Sequence, residues 1–199
     1  MIKNIIFDMG QVLMSFKPEK YVYSTAKSPE SAEAILRELF GGPEWPMLDA
    51  GTITDEETVK RVQARIPAYA DDVAAVMENW HLLMKPLPGM EDILSKLKEN
   101  GYSLYLLSNA SIRFYRFYKC ISMFGYFDGI VISAKEKLVK PDKRIYRLIL
   151  SRYGLKADEC LFIDDLQDNI DGAGSVGING HRFKGHDELV SFLKCEKLL

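Results

Sequence analysis

Ile5-Ile6-Phe7-Asp8-Met9-Gly10-Gln11-Val12-Leu13 is the stretch whose reading decides the fold. An apolar run rich in β-formers ends on one carboxylate, a turn-prone Met9-Gly10-Gln11 follows, and the chain becomes apolar again. Such a segment reads as a short buried strand that delivers Asp8 to the carboxyl end of a sheet. In open α/β sheets that edge is where ligands bind. A carboxylate buried there needs a counter-charge, because an unpaired one is very costly.

Working outward, four more apolar runs read as buried strands: Ser103–Leu107, Gly129–Ser133, Cys160–Ile163 and Ile178–Phe183. Amphipathic stretches separate the later runs at Met90–Asn100, Ile112–Phe124, Lys143–Tyr153, Asn169–Val176 and His186–Cys195. Gly101 and Gly154 sit where helix C-termini favour glycine. Strands alternating with helices predict a parallel sheet covered on both faces, an α/β, Rossmann-like core. Residues from about Lys17 to Leu87 differ, with helical periodicity and no convincing strand. Ser28-Pro29-Glu30 predicts a helix ending near Gly41-Gly42, Thr54-Asp55-Glu56-Glu57 has capping-box spacing, and Asp71 or Asp72 starts a third helix that ends before Pro86. The expected division is a core of residues 1–15 and 87–199 with a small helical cap, 16–86, placed to roof the site.

The totals are compatible with this. A chain of 199 residues with 47% hydrophobic content can build one medium core plus an insert. A net charge of -2 gives no global pull toward nucleic acid or an anionic membrane surface. Three cysteines without a CxxC pair argue for a reducing compartment and against a zinc site. No run approaches the ~18 to 20 apolar residues a membrane helix needs. A cytoplasmic monomer is the expectation.

Four features share strand ends. Asp8 follows the first strand, Ser108-Asn109 the second, Lys140-Pro141 lies beyond the third, and Asp164-Asp165 follows the fourth. Three carboxylates, a hydroxyl, an amide and an ammonium then meet at one edge of a parallel sheet. Clustered carboxylates raise one another's pKa values unless a cation sits among them. Oxygen ligands suit Mg²⁺, which binds through one or two carboxylates plus substrate phosphate. Lys140 adds positive charge, while Ser108 and Asn109 can hydrogen-bond phosphoryl oxygens. These are the parts phosphoryl transfer uses.

In this order Phe7-Asp8-Met9-Gly10-Gln11-Val12-Leu13, Leu107-Ser108-Asn109, Val139-Lys140-Pro141-Asp142 and Phe162-Ile163-Asp164-Asp165-Leu166-Gln167-Asp168-Asn169 resemble the four motifs of the haloacid dehalogenase superfamily. The resemblance spans the whole chain, the cap included. It implies a Mg²⁺-dependent phosphomonoester hydrolase acting on a small phosphorylated metabolite, with sugar phosphates among the compatible substrates. Asp8 would be the nucleophile that forms an aspartyl-phosphate. Mg²⁺ would be held by Asp8, the Gly10 carbonyl and Asp165, with Asp164 acting through a metal-bound water. Ser108, Asn109 and Lys140 would bind the phosphoryl group, and Asn169 would brace the metal-side loop.

One position departs from that pattern. Phosphatases of the superfamily usually carry a second Asp two residues after the nucleophile as acid and base, and here that position is Gly10. Acid/base help of this kind is typically worth ~10²- to 10⁴-fold. Three readings follow: a working phosphatase in which water, the cap or Gln11 assists; a catalytically weak Mg²⁺- and phosphate-binding relative; or a metal-independent 2-haloacid dehalogenase-type hydrolase. The first is favoured.

Around the site, the loop-like stretch Gly41–Gly51 carries Trp45, Leu48 and Asp49. Trp45 is expected mainly to anchor cap helices, whereas Phe16 and Lys17 at the hinge are the better candidates for substrate contact. His81 reads as packed rather than catalytic. Ile112–Tyr118 reads as an amphipathic helix with Arg113 and Arg116 on its wet edge.

Overall fold

The computed structural model describes residues 1–199, apart from the side chain of Leu83. Strand β1 (Asn4–Phe7) is buried along its whole length. It is followed by β2 (Met14–Ser15), and the cap ends at β3 (Lys85–Pro86). The later strands are β4 (Ser103–Ser108), β5 (Gly129–Ile132), β6 (Cys160–Asp164) and β7 (Asn179–Arg182). Five strands form one parallel sheet in the order β5-β4-β1-β6-β7. The sheet is thus the expected α/β, Rossmann-like one.

Alternation along the strands fills two cores. Ile5, Phe7, Leu104, Leu106, Leu161 and Ile163 belong to one. They pack with Met90, Ile93, Leu94 and Leu97 of α6 (Met90–Glu99) and with Leu189 and Leu193 of the last helix, His186–Cys195. Ile6, Tyr105, Leu107, Val131 and Phe162 face the other way. They pack against Ile145, Tyr146 and Ile149 of the helix Lys143–Tyr153 and Ala173 of Gln167–Gly174. Truncating one such side chain to Ala costs about 2–5 kcal/mol, through lost transfer energy and the cavity left behind. The helix at Lys143–Tyr153 starts where Asp142 accepts the Arg144 amide at 2.9 Å and stops at Gly154 in the left-handed region.

The insert is built from α1 (Pro18–Thr25), α2 (Pro29–Ile35), α3 (Glu44–Asp49), α4 (Asp55–Arg65) and α5 (Ala70–Asn79). A π-helical segment, Leu36–Phe40, continues α2. Thr54 and Glu57 make the expected capping box. Chain exit and return cross as a two-residue antiparallel ribbon, Met14 opposite Pro86 and Ser15 opposite Lys85. This ribbon, α1 and α3 are absent from the sequence reading. A two-residue strand has no periodicity to detect, and two prolines disguise α3. Pro43 precedes the helix and Pro46 lies in its first turn, where amides have no intrahelical acceptor to lose.

One expected helix is overturned. Ile112–Phe124 is not continuous: α7 covers only Phe114–Phe117 and gives way to 3-10 turns at Tyr118–Cys120 and Ser122–Tyr126. Four aromatic residues among positions 114–118 cannot share one stripe of a helix, so turns bury the rings separately. Completing the chain order, α8 is Ser133–Glu136, α9 Lys143–Tyr153, α10 Gln167–Gly174 and α11 His186–Cys195. Among the described residues no helix is long and apolar enough to cross a membrane.

Candidate active site

The sheet register sets the site. Phe7 pairs with Leu106 on one side and Ile163 on the other, so Asp8, Leu107 and Asp164 stand at one level of three adjacent strands. The Asp8 amide still donates to Ile163 O at 2.9 Å. The chain then turns sharply, with the Leu13 and Met14 amides donating to Met9 O and Gln11 held at φ +54°. Gln11 Nε2 donates to Phe16 O at 2.9 Å, tying this turn to the hinge.

Lys140 Nζ lies 2.6 Å from Asp8 Oδ1 and 2.6 Å from Asp164 Oδ2, with all three groups buried. Asp164 also accepts from the Leu166 amide (2.8 Å) and from Asn169 Nδ2 (3.0 Å to each oxygen). Asn109 holds the lysine by its backbone: its Oδ1 accepts the Lys140 N–H at 2.8 Å and its Nδ2 donates to Lys140 O at 3.0 Å. Below the ammonium lies the Phe162 ring, 5.3 Å from Nζ to centroid. On the far side, α10 approaches so closely that a Cβ on Gly172 would sit 2.8 Å from Pro141 O. The lysine is fixed from every direction.

Electrostatically, one ammonium serves three carboxylates. Burial first, and the charge of Asp164 after it, push the Asp8 carboxyl above its ordinary range, although Lys140 opposes the shift. Asp165 is raised by the same causes. For Lys140, burial disfavours the charge, but Asp8 and Asp164 together outweigh it and hold the amine above its usual value. Oxygens of Asp8, Asp164 and Asp165 lie within 4.8 Å of one another. A hard divalent cation fits this cluster: the ligand atoms are all oxygen, already gathered, and short of positive charge.

A cavity of about 250 Å³ opens above this floor. Its polar end holds Asp8, Asn109, Lys140, Asp165 and Asn169, with Gly10 and Gln11 on the rim. Phe16, Trp45, Trp80, Met84, Phe114 and Phe117 make the wall. Within it Trp45 packs 5.7 Å from Phe16, 5.0 Å from Trp80 and 4.6 Å from Phe40, centroid to centroid. Trp45 therefore both anchors the cap and lines the cavity. Phe16 lines it too, whereas Lys17 is exposed and does not. Ser108 ends β4 in a buried position and is not among the lining residues. His81 is packed as expected, stacked on Phe117 at 5.9 Å, and burial lowers its pKa.

Two placements differ from the sequence reading. Arg113 is not on a wet edge: it is buried, its guanidinium donating to Asp55 at the start of α4 and, at 2.6 Å, to the Glu78 carbonyl. Arg116 does stay exposed, 4.0 Å from the same Asp55. Asp49 turns into the cavity beside Asp8 and Lys140, which no local sequence signal indicates.

Known proteins match this arrangement. The chain is 27% identical over 198 residues to the sesquiterpene phosphatase astK of Aspergillus oryzae, covering 99% of this chain and 96% of that one. It is 27% identical over 189 residues to a phosphorylated carbohydrates phosphatase of Thermotoga maritima, covering 89% and 82%. Other curated relatives are longer, and the chain spans 17% of one and 35% of another. Its fold matches a haloacid dehalogenase family enzyme of Bacteroides thetaiotaomicron, crystallised with magnesium and inorganic phosphate, at a TM-score of 0.73. That likeness is 23% identical and covers 96% of this chain and all of the other. The family model for haloacid dehalogenase-like hydrolases matches residues 2–177, and the chain belongs to that family.

Proposed function

We propose that this hydrolase is a Mg²⁺-dependent phosphomonoesterase that transfers the phosphoryl group of a small metabolite to Asp8, and that the alcohol it releases is apolar. The observation that carries the reading is the Lys140 ammonium, 2.6 Å from Asp8 at the floor of an aromatic-walled cavity.

Asp8 Oδ2 is the nucleophilic oxygen, since Oδ1 is engaged by Lys140. Lys140 favours the ionised form of Asp8 against the effect of burial and offers positive charge to the phosphoryl oxygens as they approach. Asp164, itself held by Asn169, keeps the ammonium in place, and Asn109 fixes its backbone, so the donor is set before substrate arrives. Ser108, buried at the same sheet edge and outside the cavity lining, would have to turn its hydroxyl into the cavity to take a further phosphoryl oxygen. Asp8, Asp165 and the Gly10 carbonyl would hold Mg²⁺, with Asp164 behind them. When bound, the ion supplies the charge that lets a dianion approach three carboxylates.

The wall supports the substrate class. Sugars need several hydrogen-bonding partners, and here the neutral amide and hydroxyl side chains lining the cavity are Gln11, Asn109, Ser111 and Asn169, the last with its amide given to Asp164, while the wall above the charged floor is mostly rings and methionines. The Gln11 and Asn109 amides are already engaged, with Phe16 and Lys140. The relatives point both ways, one named for sesquiterpenes and one for phosphorylated carbohydrates. The lining favours the first.

The test is phosphate release with and without Mg²⁺ from an alkyl or prenyl monophosphate and from a hexose phosphate, with halide release from a 2-haloacid followed in parallel. The expected result is Mg²⁺-dependent release, with kcat/KM on the apolar ester at least tenfold above that on the hexose phosphate. Preference for the hexose phosphate would overturn the substrate class. Metal-independent halide release would identify a dehalogenase, and tight phosphate binding without turnover a binding relative.

A further inference from the structure

Gly10 leaves the leaving oxygen without the acid that phosphatases of this pattern place two residues after the nucleophile. Among the described residues the cavity contains one carboxyl outside the Asp8 and Asp165 cluster, and it belongs to Asp49 at the end of α3. We propose that Asp49, reaching down from the cap, is the general acid and base of this enzyme. The inference rests on the phosphomonoesterase reading above and deepens it.

Three observations carry it. First, the Asp49 carboxyl faces the site and makes no hydrogen bond or ion pair among the described residues. The cap's other shielded acids are all engaged: Glu44 takes both Arg65 nitrogens at 2.7 Å, Asp72 accepts from Ser31 (2.6 Å) and the Lys27 amide (3.0 Å), and Asp55 is paired with Arg113. The Asp49 carboxyl, only partly buried, is left free on the cavity side. Second, its backbone is pinned to the core. Ser133 Oγ donates to the Asp49 carbonyl and accepts the Ala110 amide at 2.9 Å, tying the end of α3 to the loop after β4. Third, the next turn is flush against α8. Gly51 has φ +66°, and a Cβ there would lie 2.1 Å from the Ala134 carbonyl oxygen. The backbone that carries the carboxyl is thus tied to the core although it belongs to the cap.

Its ionisation suits the task. Burial, then the charge of Asp8, raise the Asp49 carboxyl to about 7, with Lys140 opposing. A group poised near the working pH can both give and take a proton.

In the first step Asp8 Oδ2 forms a bond to phosphorus. The bond to the alcohol oxygen breaks, its electron pair stays on that oxygen, and the Asp49 proton neutralises it. In the second, water attacks phosphorus and gives a proton to the Asp49 carboxylate. The phosphorus–Asp8 bond breaks, its electron pair returns to Asp8, and inorganic phosphate leaves. Both side chains end as they began.

Asp49→Asn keeps the shape and removes the proton. With enzyme in excess and Mg²⁺ present, phosphoryl transfer from an alkyl monophosphate should slow about 10²- to 10⁴-fold, and from 4-nitrophenyl phosphate at least tenfold less, because nitrophenolate leaves without protonation. Equal slowing of the two esters, or none, overturns the assignment while leaving the phosphatase reading intact. Absence of transfer by the unsubstituted protein overturns both together. Gly10→Asp in the Asp49→Asn background provides a rescue. A Cβ on Gly10 meets only Asp8 Oδ2, at an ordinary 3.9 Å, so an acid fits there. Recovery of at least tenfold on the alkyl ester is expected, and no recovery counts against the role. Should Asp49→Asn not fold, the unsubstituted enzyme still decides. Transfer rates that fall only slightly from nitrophenyl to alkyl esters mean an acid is at work, and a steep fall means none is.

Discussion

Arg113, in the core loop that follows β4, donates through its guanidinium to Asp55, the first residue of α4 in the cap. Both side chains are shielded, 5% and 13% exposed, and a second arm of the guanidinium reaches the Glu78 carbonyl at the end of α5. One core residue therefore grips two cap helices at once.

Removing that grip should loosen the cap. Breaking a buried ion pair by deleting one partner leaves the other charge uncompensated, at a cost of about 3–5 kcal/mol. Arg116, 4.0 Å from Asp55, softens the loss in Arg113→Ala, and about 2 kcal/mol is expected from urea unfolding. A loss below about 0.5 kcal/mol, the range of ordinary surface substitutions, would deny the clamp its role.

Asp49 makes stability depend on pH in a definite direction. Its ordinary value is 3.8 and its folded value about 7, so between these the folded protein holds a proton that the unfolded chain has released. Stability contributed by this group is full below about pH 4, falls as pH rises toward 7, and is flat above. Asp49→Asn lacks the decline. In metal-free buffer its stability advantage over the parent should grow across that window, by an amount on the order of a few kcal/mol. An advantage that is constant with pH, or shrinks, would mean the carboxyl is not buried as described.

Asp165 should govern metal affinity. It completes the oxygen cluster with Asp8 and Asp164, and burial, then the charge of Asp164, raise its pKa. Asp165→Asn removes a ligand charge without changing the shape, and Mg²⁺ affinity by calorimetry should fall at least tenfold. A change of less than twofold would place the ion elsewhere.

Trp45 should set the preference for apolar esters. Burying about 60 Å² of an alkyl chain against the indole is worth about 1.5 kcal/mol, or roughly tenfold. The ratio of kcat/KM for an alkyl monophosphate over a hexose phosphate should therefore fall about tenfold in Trp45→Ala. An unchanged ratio would show that the chain binds elsewhere.

Strand-end chemistry was legible because each apolar run stops on a polar residue, and a parallel sheet brings such stops to one edge. Asp8, Asn109 and Asp164 meet there for that reason, and Lys140, from the loop before α9, and Asn169, from α10, close on them. What the chain did not reveal depends on how the cap sits on the core. Asp49 is one acid in a proline-interrupted stretch, and only the docking of Gly51 on Ala134 aims it at Asp8. Arg113 announces a charge but not its direction, which follows from an Asp55 distant in sequence. Asn109 reads as a phosphate ligand from its type, and what only the structure adds is a second task, its side-chain amide bridging the Lys140 backbone from the cavity lining.

The most direct test is borohydride trapping of the acyl-phosphate during turnover with Mg²⁺ and an apolar monophosphate, followed by peptide mass spectrometry. Borohydride reduces an aspartyl-phosphate to homoserine but leaves a free carboxylate untouched. Homoserine at position 8, formed only when substrate and Mg²⁺ are both present, is the predicted result. An unmodified Asp8 recovered from enzyme quenched while releasing phosphate would contradict the account.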